Sequence, residues 1–145
     1  MNRTYILKGC VFQRKSKSNC LVEVVKVDDF QVKVLEYNES GCEYIVVDIS
    51  DLKEIPLSIP IIKSLGFEEK EDVLMGLPYE HYWQKLVNER VVWIVDDKGI
   101  LKFATIDTDA YYGVRFSPLP YLHELQNIIG PIDVAKLFKE LKTVR

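Results

Sequence analysis

Between Cys20 and Ile49 apolar and polar residues alternate with a period of two, and turn-forming residues cut the alternation into short lengths. Phe30, Val32 and Val34 fall on one side of a strand, with Gln31 and Lys33 on the other. Ile45, Val47 and Ile49 repeat the pattern after the polar loop Tyr37-Asn38-Glu39-Ser40-Gly41. Successive side chains of a strand point to opposite faces, so such stretches build a sheet with one face inside. The Val-rich stretch from Cys20 to Val27 comes first and ends at the turn signal Asp28-Asp29. Thr4 to Leu7 with Gly9 to Phe12 supplies a further strand. Strands this short and this closely spaced predict a small, strongly bent antiparallel sheet, either an SH3-like barrel or an open bent sheet.

The pattern changes at Pro56. Ser58 suits an N-cap, and Pro60 falls in the first helical turn, where its missing N–H costs nothing. Ile61, Ile62 and Leu65 face inward, Gly66 fits the left-handed position that ends such helices, and Phe67 closes over the end. Glu68 to Asp72 reads as a charged loop. Strand pattern then returns over His81–Leu86, Val91–Val95 and Ile100–Ile106, with Trp93 on one face between Val91 and Val95. Asn88-Glu89 makes the first turn, and Asp96-Asp97-Lys98-Gly99 predicts a type I turn with glycine in the left-handed position. Val114 to Phe116 adds a short strand. Ser117-Pro118-Leu119-Pro120 marks a boundary. Two helices follow, Tyr121–Ile129 and one opened by Pro131, in which Val134, Leu137, Phe138 and Leu141 form one apolar face. The expectation is an α+β chain, mostly antiparallel, with a β-barrel-like lobe over residues 1–56. Residues 57–145 would hold the short helix, the hairpin region and two C-terminal helices packed across it, the whole forming two lobes or one continuous domain.

Composition excludes more than it assigns. The 145 residues are 48% hydrophobic and 28% charged, enough for a core and against disorder. A net charge of −3 does not argue for nucleic acid or an anionic membrane. No apolar run approaches the roughly 20 residues of a membrane span, and the first twelve residues predict no signal peptide. Cys10, Cys20 and Cys42 are odd in number and form no Cys-x-x-Cys pair, which predicts free thiols in a reducing cytoplasm.

Four groups of residues are candidate sites. His123, Gln126 and Asn127 fall at i, i+3 and i+4, opposite Tyr121, Leu125, Ile128 and Ile129. They form either a polar recognition stripe or a set of hydrogen bonds to neighbouring backbone, for which an amide offers both donor and acceptor. Arg14, Lys15 and Lys17 lie in a basic stretch without acids and form either a phosphate-contacting loop or a solvated hairpin. Tyr111 and Tyr112 are core residues or an interface anchor. Asp107 and Asp109 suit a turn better than a cation site, and nothing in the sequence brings His81, His123 and Asp107 together as a metal or catalytic triad. Phosphate loops, nucleophile elbows and zinc-protease helices are missing from the sequence, so no catalytic residue, metal, cofactor or small-molecule ligand is assigned.

Leu52-Lys53-Glu54-Ile55-Pro56-Leu57-Ser58 with Leu65-Gly66-Phe67, and His123-Glu124-Leu125-Gln126-Asn127, carry a resemblance. They are similar to the Ile-Pro-Leu, Gly-Phe and His-x-Leu-Gln-Asn signatures of a large group of small proteins of Bacteroidetes genomes and their phages. This chain departs from the group in Glu124, where glutamine is common, and in its longer charged C-terminal helix. The resemblance implies an architecture and no activity. The functional expectation is a non-enzymatic accessory protein, phage- or mobile-element-derived, that binds another protein; the alternative is a nucleic-acid-associated module using the basic loop.

Overall fold

The computed structural model describes residues 6–71, 81–107 and 116–144, apart from the side chains of 106, 107 and 142–144. The fold is α+β, mostly antiparallel, with two sheets and three α-helices among the described residues. The chain divides into two units: one contains the segment up to Pro56 and the segment from Tyr121 onward, the other Leu57–Pro120.

In the first unit a five-stranded sheet has the order β4-β3-β2-β1-β5. Its strands are β1 (Val11–Arg14), β2 (Leu21–Val27), β3 (Gln31–Asn38), β4 (Gly41–Asp48) and β5 (Leu52–Lys53). A single 3-10 turn, Ile49–Asp51, swings the chain from β4 back to β5, which pairs with β1. The sheet curls into a half-barrel, with β4 and β5 as its two edges. Alternation places Phe12, Val22, Val24, Val32, Val34, Val47 and Leu52 in one buried cluster on the concave side. A bulge between Val24 and Lys26 bends β2 and keeps Val27 on that side, opposite Val32.

Two helices complete this unit. Helix α2 (Leu122–Ile129) lies against β1, and α3 (Val134–Val144) lies against β2 and β3. Val134 and Leu137 are buried, as the apolar face of α3 requires, while Lys136 and Lys139 stay exposed. Helix α3 begins at Val134 rather than at Pro131, and the carboxylate of Asp133 just before it accepts from the Lys136 N–H at 3.1 Å. The expected division, with both C-terminal helices on the hairpin region, is therefore corrected. Helix α3 packs against β2 and β3, beside the buried Leu21, and α2 packs beside β1 and the buried Val11. Pro56 and Tyr121 form an isolated bridge, so the chain leaves the first unit and returns to it at neighbouring points.

The second unit holds a five-stranded sheet of order β10-β9-β8-β7-β6. Its strands are β6 (Glu68–Lys70), β7 (Tyr82–Val87), β8 (Arg90–Asp97), β9 (Ile100–Asp107) and β10 (Ser117–Pro118). Tyr82, Trp93 and Val95 cluster with Val91 and Phe116. Helix α1 (Ile59–Ser64) buries Ile61 and Ile62. Gly66 is left-handed, φ +90°, and the Phe67 N–H reaches the Ile62 carbonyl at 3.2 Å, which ends the helix as its sequence predicts. Ser58 occupies the N-cap position without a side-chain cap bond.

Several sequence expectations change. Glu68–Lys70 pairs with β7 as an edge strand rather than looping. Phe30 lies in the turn before β3, not in the strand, and is 83% exposed. The Asp97–Ile100 turn has positive φ at both Lys98 and Gly99, and the Val87–Arg90 turn has it at both Asn88 and Glu89. Both are the mirror-image type I′ turns whose twist matches that of paired strands, not type I.

Candidate functional site

Of the two readings of the polar residues of α2, the geometry is that of hydrogen bonds to neighbouring backbone and not of an open stripe. Gln126 is buried, and its amide binds the backbone of the segment entering β1: the Val11 N–H donates to Oε1 at 2.8 Å, and Nε2 donates to the Gly9 carbonyl at 2.8 Å. One side chain thereby satisfies a donor and an acceptor that the sheet leaves unpaired. His123 is also buried, its ring 5.0 Å from that of Phe12 and 5.9 Å from that of Tyr121. Burial pushes its imidazole below the ordinary value, against a weaker upward pull from Glu54 and Glu124, and Nδ1 has no hydrogen-bond partner. Of the three residues only Asn127 is exposed. The helix turns His123 and Gln126 inward with Leu122 and Leu125 because β1 has backbone groups to satisfy there.

Two of the three basic-loop cations are engaged by acids of their own unit. Arg14 binds Glu36 through Nη1 at 2.8 Å and Asp51 through Nε at 2.9 Å; Lys17 binds Glu36 at 3.1 Å. Lys15 is exposed. Glu36 is itself buried. Burial opposes its ionisation, yet hydrogen bonds from Arg14, Lys17, Asn38 and Cys20 outweigh burial and hold it down to about 2. The cluster ties β1 to β3 and to the 3-10 turn and uses the charges that a phosphate would need.

Tyr111, Tyr112 and Asp109, and the side chain of Asp107, lie outside the described residues. His81 belongs to the second unit and His123 to the first. Glu69, Glu71 and His81 bring ligand-type atoms within 4.8 Å of one another. All three are exposed. His81 Nε2 contacts Glu69 at 2.7 Å, and the Lys63 ammonium, 3.4 Å from Glu69, already supplies positive charge there. Cys10 and Cys20 are buried and Cys42 is exposed, all three as free thiols.

What sequence reasoning missed is the exposed outward face of β4. Its inward residues Ile45 and Val47 pack on the core, but Tyr44 and Val46, pointing outward, are 64% and 60% exposed. Lys33 lies over the Tyr44 ring, its ammonium 5.4 Å from the centroid. β4 pairs with β3 along its full length without a register shift, and no described strand pairs with its other edge. Shallow grooves of about 430 and 520 Å³ adjoin its two ends, one beside Gly41, Cys42 and Glu43, the other beside Val46, Val47 and Asp48. The signal was present in Tyr44-Ile45-Val46-Val47, an unbroken apolar run. An antiparallel strand with one solvent face alternates instead.

Comparison with family models, with curated proteins and with solved structures gives no match for this chain. No described helix is long and apolar enough to cross a membrane.

Proposed function

We propose that this chain is a non-enzymatic accessory protein that acts by binding another protein through β4, working in the cytoplasm. The observation that carries the reading is an eight-residue edge strand with two large apolar side chains turned outward. Edge strands expose a row of unpaired N–H and C=O groups, and proteins blunt them with lysine, proline, bulges or short length. From Gly41 to Asp48 there is no lysine and no proline, and the ladder to β3 has no bulge. Backbone groups beside exposed aromatic and aliphatic side chains are the elements by which a further strand is recognised. Origin in a phage or mobile element is part of the proposal and rests on the resemblance of the Ile-Pro-Leu, Gly-Phe and His-x-Leu-Gln-Asn tracts. A reducing compartment suits the free thiols.

The nucleic-acid alternative is weaker, because Arg14 and Lys17 would have to leave Glu36 and Asp51 to meet phosphate. The test is capture from a host lysate with and without nuclease, comparing the native chain with Tyr44→Lys/Val46→Lys. A stoichiometric protein, either a host protein or a further copy of this chain, retained by the native chain and lost by the variant is the expected result. Recovery abolished by nuclease, or unchanged by the variant, contradicts it.

A further inference from the structure

We propose that the occupant of the β4 edge is a second copy of this chain, paired antiparallel about a two-fold axis at Ile45; this rests on the reading of β4 as a protein-binding edge. The argument begins with the phase of the ladder. The Ile49 N–H donates to the Phe30 carbonyl at 3.0 Å, and each residue from Gly41 to Asp48 has one partner on β3. Opposed residues of an antiparallel pair alternate between hydrogen-bonded and non-bonded. Odd-numbered residues of β4 therefore bond to β3. Cys42, Tyr44, Val46 and Asp48 direct their N–H and C=O groups to the free edge, and these same residues point their side chains outward.

Side chains directly opposite each other across an antiparallel pair lie on the same face. A two-fold axis through the sheet can then be centred only on a residue, not between residues. Centred on Val46, it sets Tyr44 opposite the charged Asp48 and runs the pairing into the 3-10 turn at Ile49–Asp51. Centred on Tyr44, it runs past Gly41 into the Glu39-Ser40 turn. Centred on Ile45, it keeps the pairing within Cys42–Asp48. Tyr44 then faces Val46 of the other copy and Val46 faces its Tyr44, each pair exchanging both N–H···O bonds, while Ile45 meets Ile45 on the inner face.

Charge does not oppose this register. The strand has two acids, Glu43 and Asp48, and no base. In this register Glu43 faces Val47 and Asp48 faces Cys42, on opposite faces of the sheet, so no like charges meet. The interface is isologous, as in most homodimers, and it joins two half-barrels edge to edge while removing one exposed edge from each.

Sedimentation velocity of the full chain over its soluble concentration range tests this, together with Val46→Pro, which removes a free-edge N–H and none from the β3 ladder. The expected result is a native dimer and a folded, monomeric variant. If Val46→Pro fails to fold, Tyr44→Lys/Val46→Lys, which opposes lysines across the axis, carries the comparison and is expected to be monomeric. A second readout fixes the register: Ile45→Cys in a Cys42→Ala background forms an intermolecular disulfide on oxidation, and Val47→Cys in that background does not. A dimer that persists in the edge variants overturns the proposal. A monomeric native chain that still loses a lysate partner on Tyr44→Lys/Val46→Lys overturns the second copy as occupant and leaves β4 a protein-binding edge. A monomer that captures nothing through β4 sinks both.

Discussion

Gln126 shows how a single polar side chain is spent inside this fold. Its amide closes the Val11 N–H and the Gly9 carbonyl, more than a hundred residues away in sequence. Gln126→Ala leaves both groups without that partner, at about 1–3 kcal/mol for a buried unsatisfied group. The variant is expected to lose about 2–4 kcal/mol in urea unfolding. On the acid side, His123 and Glu36 are the two buried groups whose titration the fold displaces. The folded state holds His123 below its ordinary 6.5, so its contribution is complete above that value and is lost as the pH falls below it. Glu36 is held down from 4.5 to about 2, so its contribution is present above 4.5 and is lost between 4.5 and about 2. The melting temperature should therefore fall in two stages on acidification. His123→Phe should remove the first stage and keep the second; a first stage of unchanged size would assign it elsewhere.

At the scale of elements, turn geometry makes a specific demand. Glu89 sits at φ +68° in the second position of a type I′ turn, where a side chain costs about 1–2 kcal/mol. Glu89→Gly creates an Asn-Gly pair, the favoured type I′ sequence, and should raise stability by about 1 kcal/mol, read by thermal unfolding. The strands themselves were legible because period two and turn residues are local signals: Val32 and Val34, Trp93 between Val91 and Val95, and Gly66 after α1 all stand where the pattern puts them. The candidate sites were not. Whether His123 and Gln126 face water or core depends on what β1 leaves unpaired, and β1 is remote in sequence from α2. Arg14 and Lys17 look like a basic loop until the bend of the sheet brings Glu36 and Asp51 to them. β4 left a local trace, the run Tyr44 to Val47, but its position at the edge of the sheet follows from strand order, which alternation does not encode.

Over the whole chain, the first unit is made from both ends of the sequence, and the second is inserted between the bridged residues Pro56 and Tyr121. A fragment ending at Pro56 would keep the five strands of the half-barrel and lose both α2 and α3. It should be unfolded by circular dichroism, because β1, β2 and β3 lose the helices packed against them and Val11 loses its acceptor. A folded fragment would return the C-terminal helices to the second unit. The half-barrel so completed presents β4 to other chains, and the account stands or falls on that edge. Residue-resolved amide hydrogen exchange on the full chain tests it most directly. The Gly41, Glu43, Ile45 and Val47 amides, bonded within the β3 ladder, should be protected at every concentration. The Cys42, Tyr44, Val46 and Asp48 amides should gain protection when a second copy or another strand pairs with the edge, and lose it in Tyr44→Lys/Val46→Lys. Even-numbered amides that exchange freely at every concentration, and with host lysate present, would contradict the account.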